Sequence, residues 1–134
     1  MKIGENVDIF FSGIEMHMKF DSKINLLGGY SGTGKTLLMK AITLHCTQSG
    51  ISYRYVDYKN KDMTEEEIAS YCKSAKIVML DNADLYITDK LLNLLSESAD
   101  MIIMSLKQTH LISMKNVKEY IVHYENMRLE LEGF

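Results

Sequence analysis

The period of the hydrophobic pattern changes along the chain, and each change marks an element. From residue 7 to 20 the period is two. Val7, Ile9 and Phe11 share one parity, a turn follows at Ser12-Gly13, and Ile14, Met16, Met18 and Phe20 then alternate with Glu15, His17 and Lys19. That spacing predicts a β-hairpin with one buried face. His17 falls on the polar parity, so it is expected in solvent. After Asp21-Ser22-Lys23 comes Ile24-Asn25-Leu26-Leu27, a short apolar run that reads as a buried strand over 24–28. Leu37 to Ile42 continues as a helix expected to end near Thr47, with Gly50 as its stop signal. Ile51 to Val56 reads as a strand whose Tyr53 and Tyr55 suit a half-buried pleated surface. Asp57 to Met63 is a polar loop. Thr64-Glu65-Glu66-Glu67 has the spacing of a capping box and opens a helix with Ile68, Tyr71, Cys72 and Ala75 on one face. Ile77 to Leu80 and Met101 to Ser105 are continuous apolar runs, as buried parallel strands require. Between them, Thr88 to Ser98 forms a helix with Leu91, Leu92, Leu94 and Leu95 inward. Tyr120 to Tyr124 and Arg128 to Glu132 read as strands around a turn at Glu125-Asn126. Three strand–helix–strand crossovers in a row predict an α/β fold. Its sheet is mainly parallel, with helices on both faces and antiparallel hairpins at the N- and C-terminal ends.

Between the strand at 24–28 and the helix lies Gly29-Tyr30-Ser31-Gly32-Thr33-Gly34-Lys35-Thr36. It fits the phosphate-loop pattern G-x-x-x-x-G-K-[ST] at every required position, in the strand–loop–helix context that the pattern needs. Glycines let the backbone approach a ligand closely. Successive N–H groups, continuing to Leu37, then form an anion-binding nest at the positive end of the helix dipole. In this reading Lys35 reaches the β- and γ-phosphates and Thr36 offers its hydroxyl to magnesium. The second diagnostic stretch is Lys76 to Asp81. Its aspartate emerges at the C-terminal end of a buried strand, where ligands bind in such sheets and where it can hold the same metal. The alternative role for Asp81 is to cap the turn that follows it.

Size and composition narrow the field. A chain of 134 residues is expected to form one domain over residues 1–134, with a real core. The net charge of −3 and only two arginines, Arg54 and Arg128, argue against nucleic acid or an anionic membrane as partner. No apolar run approaches membrane-spanning length, and the first residues lack the apolar core of a signal peptide. Cys46 and Cys72 stand apart at helical apolar positions, as buried thiols of a reducing cytoplasm do. The four histidines, His17, His45, His110 and His123, form no close pair for zinc.

The phosphate loop follows one strand, and the aspartate follows not the next strand but the one after. This layout resembles the division of P-loop NTPases that carries an additional strand between the two nucleotide-binding strands: ABC ATPases, AAA+ proteins and RecA-like proteins. The resemblance covers essentially the whole chain. It implies a three-layer fold with core sheet order 5-1-4-3-2, ATP and Mg2+ as cofactors, and a polar sensor residue at Ser105 or Gln108. The hairpin leading into INLLGGYSGTGKTLLMKAI and the ending EYIVHYENMRLELEGF are similar to the ABC side. There adenine often stacks on an aromatic from the region before the loop. Phe11, Phe20 and Tyr30 are available, and core packing competes for the first two.

The departures bear on chemistry. No Leu-Ser-Gly-Gly-Gln signature lies between Thr36 and Asp81, and Leu95-Ser96-Glu97-Ser98 comes after the aspartate and lacks the glycines. The family's catalytic glutamate directly follows the aspartate, and here that position is Asn82. An amide orients a water but cannot take its proton. Asp84 can stand in for it, or can cap the local turn. His110 lies past the switch-histidine position, no lid domain follows, and the only candidates for an arginine finger are Arg54 and Arg128, which are more easily explained as ordinary surface arginines. Asp81-Asn82-Ala83-Asp84 is not the D-x-x-G of GTPases, nor do Asn60-Lys61-Asp62 have guanine-reading spacing.

Three readings follow. The first is an ATPase with weak hydrolysis of its own, in which Lys35, Asp81, Asn82, Asp84 and Ser105 act and a protein partner or a second copy across the nucleotide supplies what is missing. The second is a non-hydrolysing module whose loops near 57–63 and 82–88 are gated by nucleotide. The third is an assembly protein with a relic loop.

Overall fold

Gly50 ends the helix that opens after the glycine-rich stretch of the sequence. In the computed structural model that helix, α1, spans Lys35–Ser49. Gly50 sits in the left-handed region at φ 69° and returns its N–H to the carbonyls of Cys46 and Thr47. The structure describes residues 1–28, 34–107 and 115–134. In chain order the other strands and α-helices among the described residues are β1 (Asn6–Phe11), β2 (Ile14–Lys19), β3 (Ile24–Gly28), β4 (Tyr53–Val56), α2 (Glu65–Cys72), β5 (Ile77–Leu80), α3 (Asp89–Ser98), β6 (Met101–Ser105), β7 (Val117–Glu125) and β8 (Arg128–Gly133), with short 3-10 turns at Tyr58–Asn60 and Ala83–Leu85. The capping box forms: the Thr64 hydroxyl accepts the Glu67 N–H at 3.1 Å, and the Glu67 carboxylate accepts the Thr64 N–H at 3.0 Å. Thr88 caps α3 by accepting the Leu91 N–H at 3.1 Å.

The strands among the described residues make one eight-stranded sheet in the order β1-β2-β8-β7-β3-β6-β5-β4. From β7 to β4 every neighbour is parallel. β1–β2 and β7–β8 are antiparallel hairpins, joined edge to edge by the parallel pair β2–β8. Alternate residues of the central strands enter two separate cores. Leu27, Ile77, Met79, Met101 and Ile103 meet α1 through Leu38, Met39, Ile42 and Cys46. Leu26, Val78, Leu80, Ile102 and Met104 meet α2 and α3 through Ile68, Cys72, Leu91, Leu92 and Leu95. Helices therefore cover both faces. α1 touches both β1 and β4, the two edges of the sheet, so the sheet curls around it. The hairpin strands bury only the face toward α1, through Val7, Met16, Met18, Val122 and Leu129. Their outer face is mostly polar, apart from Phe10 and Ile121, and His17 lies there with its ring 2.6 Å from the Asp8 carboxylate.

Five boundaries or orientations differ from the sequence reading. β4 begins at Tyr53 rather than Ile51. β7 begins at Val117, and its hairpin turns at Asn126-Met127, which both take positive φ (52° and 59°), as a tight two-residue turn needs. Tyr71 is 46 % exposed, because α2 turns only Ile68 and Cys72 into the core. The Arg54 guanidinium covers its ring at 5.1 Å. Leu94 is half-buried while Leu91, Leu92 and Leu95 on α3 are buried.

One polar group is built into the centre. Asn25 on β3 is fully buried. Its amide donates to the Ser22 carbonyl at 2.7 Å, and its oxygen accepts the Tyr120 hydroxyl from β7 at 3.1 Å. Satisfying this amide ties β3 to β7 in one register.

Candidate functional site

β3, β5 and β6 run parallel, so their C-terminal ends open on the same edge of the sheet. The N-terminus of α1 stands at that edge too. Together they enclose a cleft of about 330 Å³ lined by Gly34, Lys35, Thr36, Leu37, Asp81, Asn82, Asp84, Ser105, Leu106 and Lys107. Gly34, Lys35, Thr36, Leu37, Asp81, Asn82, Asp84 and Ser105, which the sequence singled out for phosphate, metal or catalysis, therefore line one cavity, whereas Phe11 and Phe20 do not. Gly29, Tyr30, Ser31, Gly32 and Thr33 lie outside the described residues, as do Gln108 and His110. Arg54 and Arg128 do not line the cleft. Arg54 covers Tyr71, and Arg128 pairs with Glu130 at 2.6 Å.

Asp81 is the hub. It is 3 % exposed and accepts three hydroxyls. Thr36 Oγ1 donates to its Oδ2 at 2.9 Å, Tyr55 donates to the same oxygen at 2.6 Å, and Ser105 Oγ donates to Oδ1 at 2.6 Å. Ser105 Oγ in turn accepts the Asn82 N–H at 2.8 Å. The Tyr86 hydroxyl lies 2.7 Å from the Asp81 carbonyl and 3.1 Å from that of Val56. Burial, and next the Asp81 carboxylate, push the Tyr55 and Tyr86 phenols well above their usual range. Both remain neutral donors.

Lys35 is half-buried at the start of α1. Burial lowers its ammonium below the usual lysine value, and the charges of Asp84 and Asp81 oppose that shift. Asp84 sits in the 3-10 turn after β5, and its two carboxylate oxygens lie 2.9 and 3.1 Å from the Lys107 N–H. Asn82 is exposed, in the left-handed region at φ 51°. Gly34 takes φ 94°, and a Cβ there would lie 3.0 Å from Leu129 Cδ1 and 3.3 Å from Tyr124 Cδ2. Both the torsion and the space demand glycine.

The donor set suits magnesium better than a softer metal. One carboxylate and one hydroxyl, 2.9 Å apart, are hard oxygens. Magnesium keeps such a small protein share and completes its shell with water and phosphate oxygens. Among the described residues no group of three His, Cys, Asp or Glu side chains can hold a metal unaided.

Tyr55, Tyr86 and the Lys107 N–H belong to the site but carried no motif. The alternation over Tyr53–Val56 gave Tyr55 a face. The pairing of Tyr55 with Met79 and Val56 with Leu80 is what brings it beside Asp81.

No protein-family model and no curated protein sequence matches the chain. Solved structures do. The genome packaging NTPase B204 from Sulfolobus turreted icosahedral virus 2, in complex with ATP-gammaS, aligns over 78% of this chain and 76% of that one with a TM-score of 0.52 and 13% identity. Protein NMB1076 from Neisseria meningitidis aligns over 75% and 68%, with a TM-score of 0.47 and 17% identity. Flagellar accessory protein FlaH from Methanocaldococcus jannaschii aligns over 83% and 76%, with a TM-score of 0.47 and 10% identity. The likeness to the packaging protein shows a shared α/β fold. No helix among the described residues is long and apolar enough to cross a membrane.

Proposed function

We propose that this chain binds ATP with Mg2+, its phosphates lying along residues 29–36 and its metal between Thr36 and Asp81. The observation that carries the reading is the 2.9 Å bond from Thr36 to Asp81 at a cleft that also holds Lys35. Two residues 45 positions apart in the chain are thus in direct contact. The sheet adds support. With β3 as the first core strand, the order β7-β3-β6-β5-β4 reads 5-1-4-3-2, the order of the additional-strand P-loop NTPases. So does the packaging NTPase, a protein of similar fold in complex with ATP-gammaS.

In this reading the loop amides and Lys35 neutralise the phosphates. Magnesium would supply further positive charge at the terminal phosphates. Ser105 holds Asp81 and the Asn82 backbone in place. Hydrolysis falls to Asp84 as base with Asn82 orienting water, and is weak, because the Asp84 carboxylate already accepts the Lys107 N–H. That same bond favours a second reading, in which the chain is a nucleotide-gated interaction module without turnover. In either case a protein partner or a second copy supplies what the cleft lacks.

Calorimetric titration with ATP and Mg2+ tests the binding. The unmutated protein is expected to bind, and Lys35→Ala to lose at least tenfold in affinity while keeping its circular dichroism spectrum. A Lys35→Ala protein that binds as tightly as the original overturns the assignment. A steady-state assay separates the two readings: loss of phosphate release in Asp84→Ala supports the enzyme, and none in any form, Asn82→Glu included, supports the module.

A further inference from the structure

The cleft at Asp81 accounts for the phosphate end of a nucleotide and leaves the other end without a seat. Resting on the reading above, we propose that the ring of Tyr124, near the tip of the β7–β8 hairpin, is the stacking platform for the nucleobase. β3 has two flanks. On one lies β6, with β5 beyond it, carrying Ser105 and Asp81; on the other lies β7. A triphosphate whose metal-bound end is held by Thr36 and Asp81 sends its nucleoside away from them, toward the β7 flank.

β7 outruns β3 on that flank. The last pair between them is Gly28 with Ile121, and β7 continues to Glu125. Residues 122–125 therefore stand past the last residue of β3, Gly28. Tyr120 and Val122 are buried in the core shared with α1, and the two-residue period turns Tyr124 to the same side. There its ring meets the first turn of α1. Tyr124 Cδ2 lies 3.3 Å from the point a Gly34 Cβ would occupy. The missing side chain at Gly34 is what admits the ring.

The ring is 41 % exposed, while Leu129, on the same side of Gly34, is fully buried. The hydroxyl lies 3.8 Å from the Met127 sulfur. An aromatic ring held by apolar neighbours and partly exposed beside the N-terminus of α1 can stack a base without reading its edge. The aromatics named from the sequence serve less well. Phe20 is 1 % exposed and packs edge-on against Tyr120, Phe11 packs against the α1 core, and Tyr30 lies outside the described residues.

The chain has no tryptophan, so Tyr124→Trp introduces a lone reporter. The experiment compares ATP with inorganic triphosphate, both with Mg2+, on the full chain. Stacking predicts that Tyr124→Ala weakens ATP by between about fivefold and a hundredfold. Triphosphate affinity should stay unchanged, and Tyr124→Phe should restore ATP. In Tyr124→Trp, ATP should quench the emission and triphosphate should not. Unaltered ATP affinity in Tyr124→Ala overturns the platform. So does equal loss of ATP and triphosphate, which would mean the ring only supports Gly34. If the unmutated protein binds triphosphate but gains nothing from the nucleoside, the platform falls and the phosphate site stands. If it binds neither, both fall.

Discussion

Tyr55→Phe removes one oxygen and keeps the ring, so it isolates the hydroxyl that donates to Asp81 at 2.6 Å. A hydrogen bond to a charged group contributes about 1.5–3 kcal/mol. Asp81 would keep the hydroxyls of Thr36 and Ser105, so its charge would not be left bare. This puts the expected loss at the lower end, about 1.5–2 kcal/mol. With an unfolding entropy of roughly 2.1 cal/mol/K per residue, a 134-residue chain should melt about 5–7 °C lower. Urea unfolding of Tyr55→Phe, Asp81→Asn and the double variant closes a cycle that separates the bond from general effects of each change. The expected coupling is about 1 kcal/mol or more. Ligand binding supplies a second readout. Tyr55→Phe should need more Mg2+ to reach full ATP affinity while binding ATP in EDTA as the original does, since only the carboxylate proposed to hold the metal loses its anchor. A coupling of about 0.3 kcal/mol or less, within the error of such cycles, would refute the argument.

Two further outcomes follow from the same structure. Gly34→Ala should destabilise more than Gly50→Ala. Both glycines take positive φ, but a Cβ at Gly50 meets nothing within 4 Å, whereas one at Gly34 lies 3.0 Å from the fully buried Leu129. Equal urea midpoints for the two variants would contradict the packing at Gly34. Stability should also fall as pH rises from about 9 toward 11. Burial pushes the Cys72 thiol up to about 11 from an ordinary 9.0, and raises the phenols of Tyr55 and Tyr86 above their ordinary 10.0. Over that window the unfolded chain gives up protons that the folded chain keeps, so alkali favours unfolding. A urea midpoint that is the same at pH 8 and pH 10.5 would disagree.

Much of this architecture was legible in the pattern of apolar positions. The run Ile77–Leu80 ending in Asp81 had to be a buried strand, because no face of it is polar, and an aspartate at its end had to emerge at the sheet edge. The capping box at Thr64 and the stop at Gly50 are local chemistry, so they could be read without the fold. What could not be read depends on contacts between distant segments. The parallel joining of β2 to β8, and the curl that wraps the sheet around α1, follow from how two hairpins pack. Tyr55 and Tyr124 looked like ordinary strand tyrosines. One reaches Asp81 only through the pairing of β4 with β5, and the other meets Gly34 only because β7 extends past β3. Tyr71 was misread because a short helix buries a narrower stripe than its apolar residues suggest.

The most direct test of the central claim is a crystal structure with a non-hydrolysable ATP analogue and Mn2+ in place of Mg2+, read by anomalous scattering from the metal. The account predicts one peak between Thr36 Oγ1 and the Asp81 carboxylate, bridged to the terminal phosphates. A nucleotide bound elsewhere, or a metal that leaves the bond between Thr36 and Asp81 untouched, would contradict it.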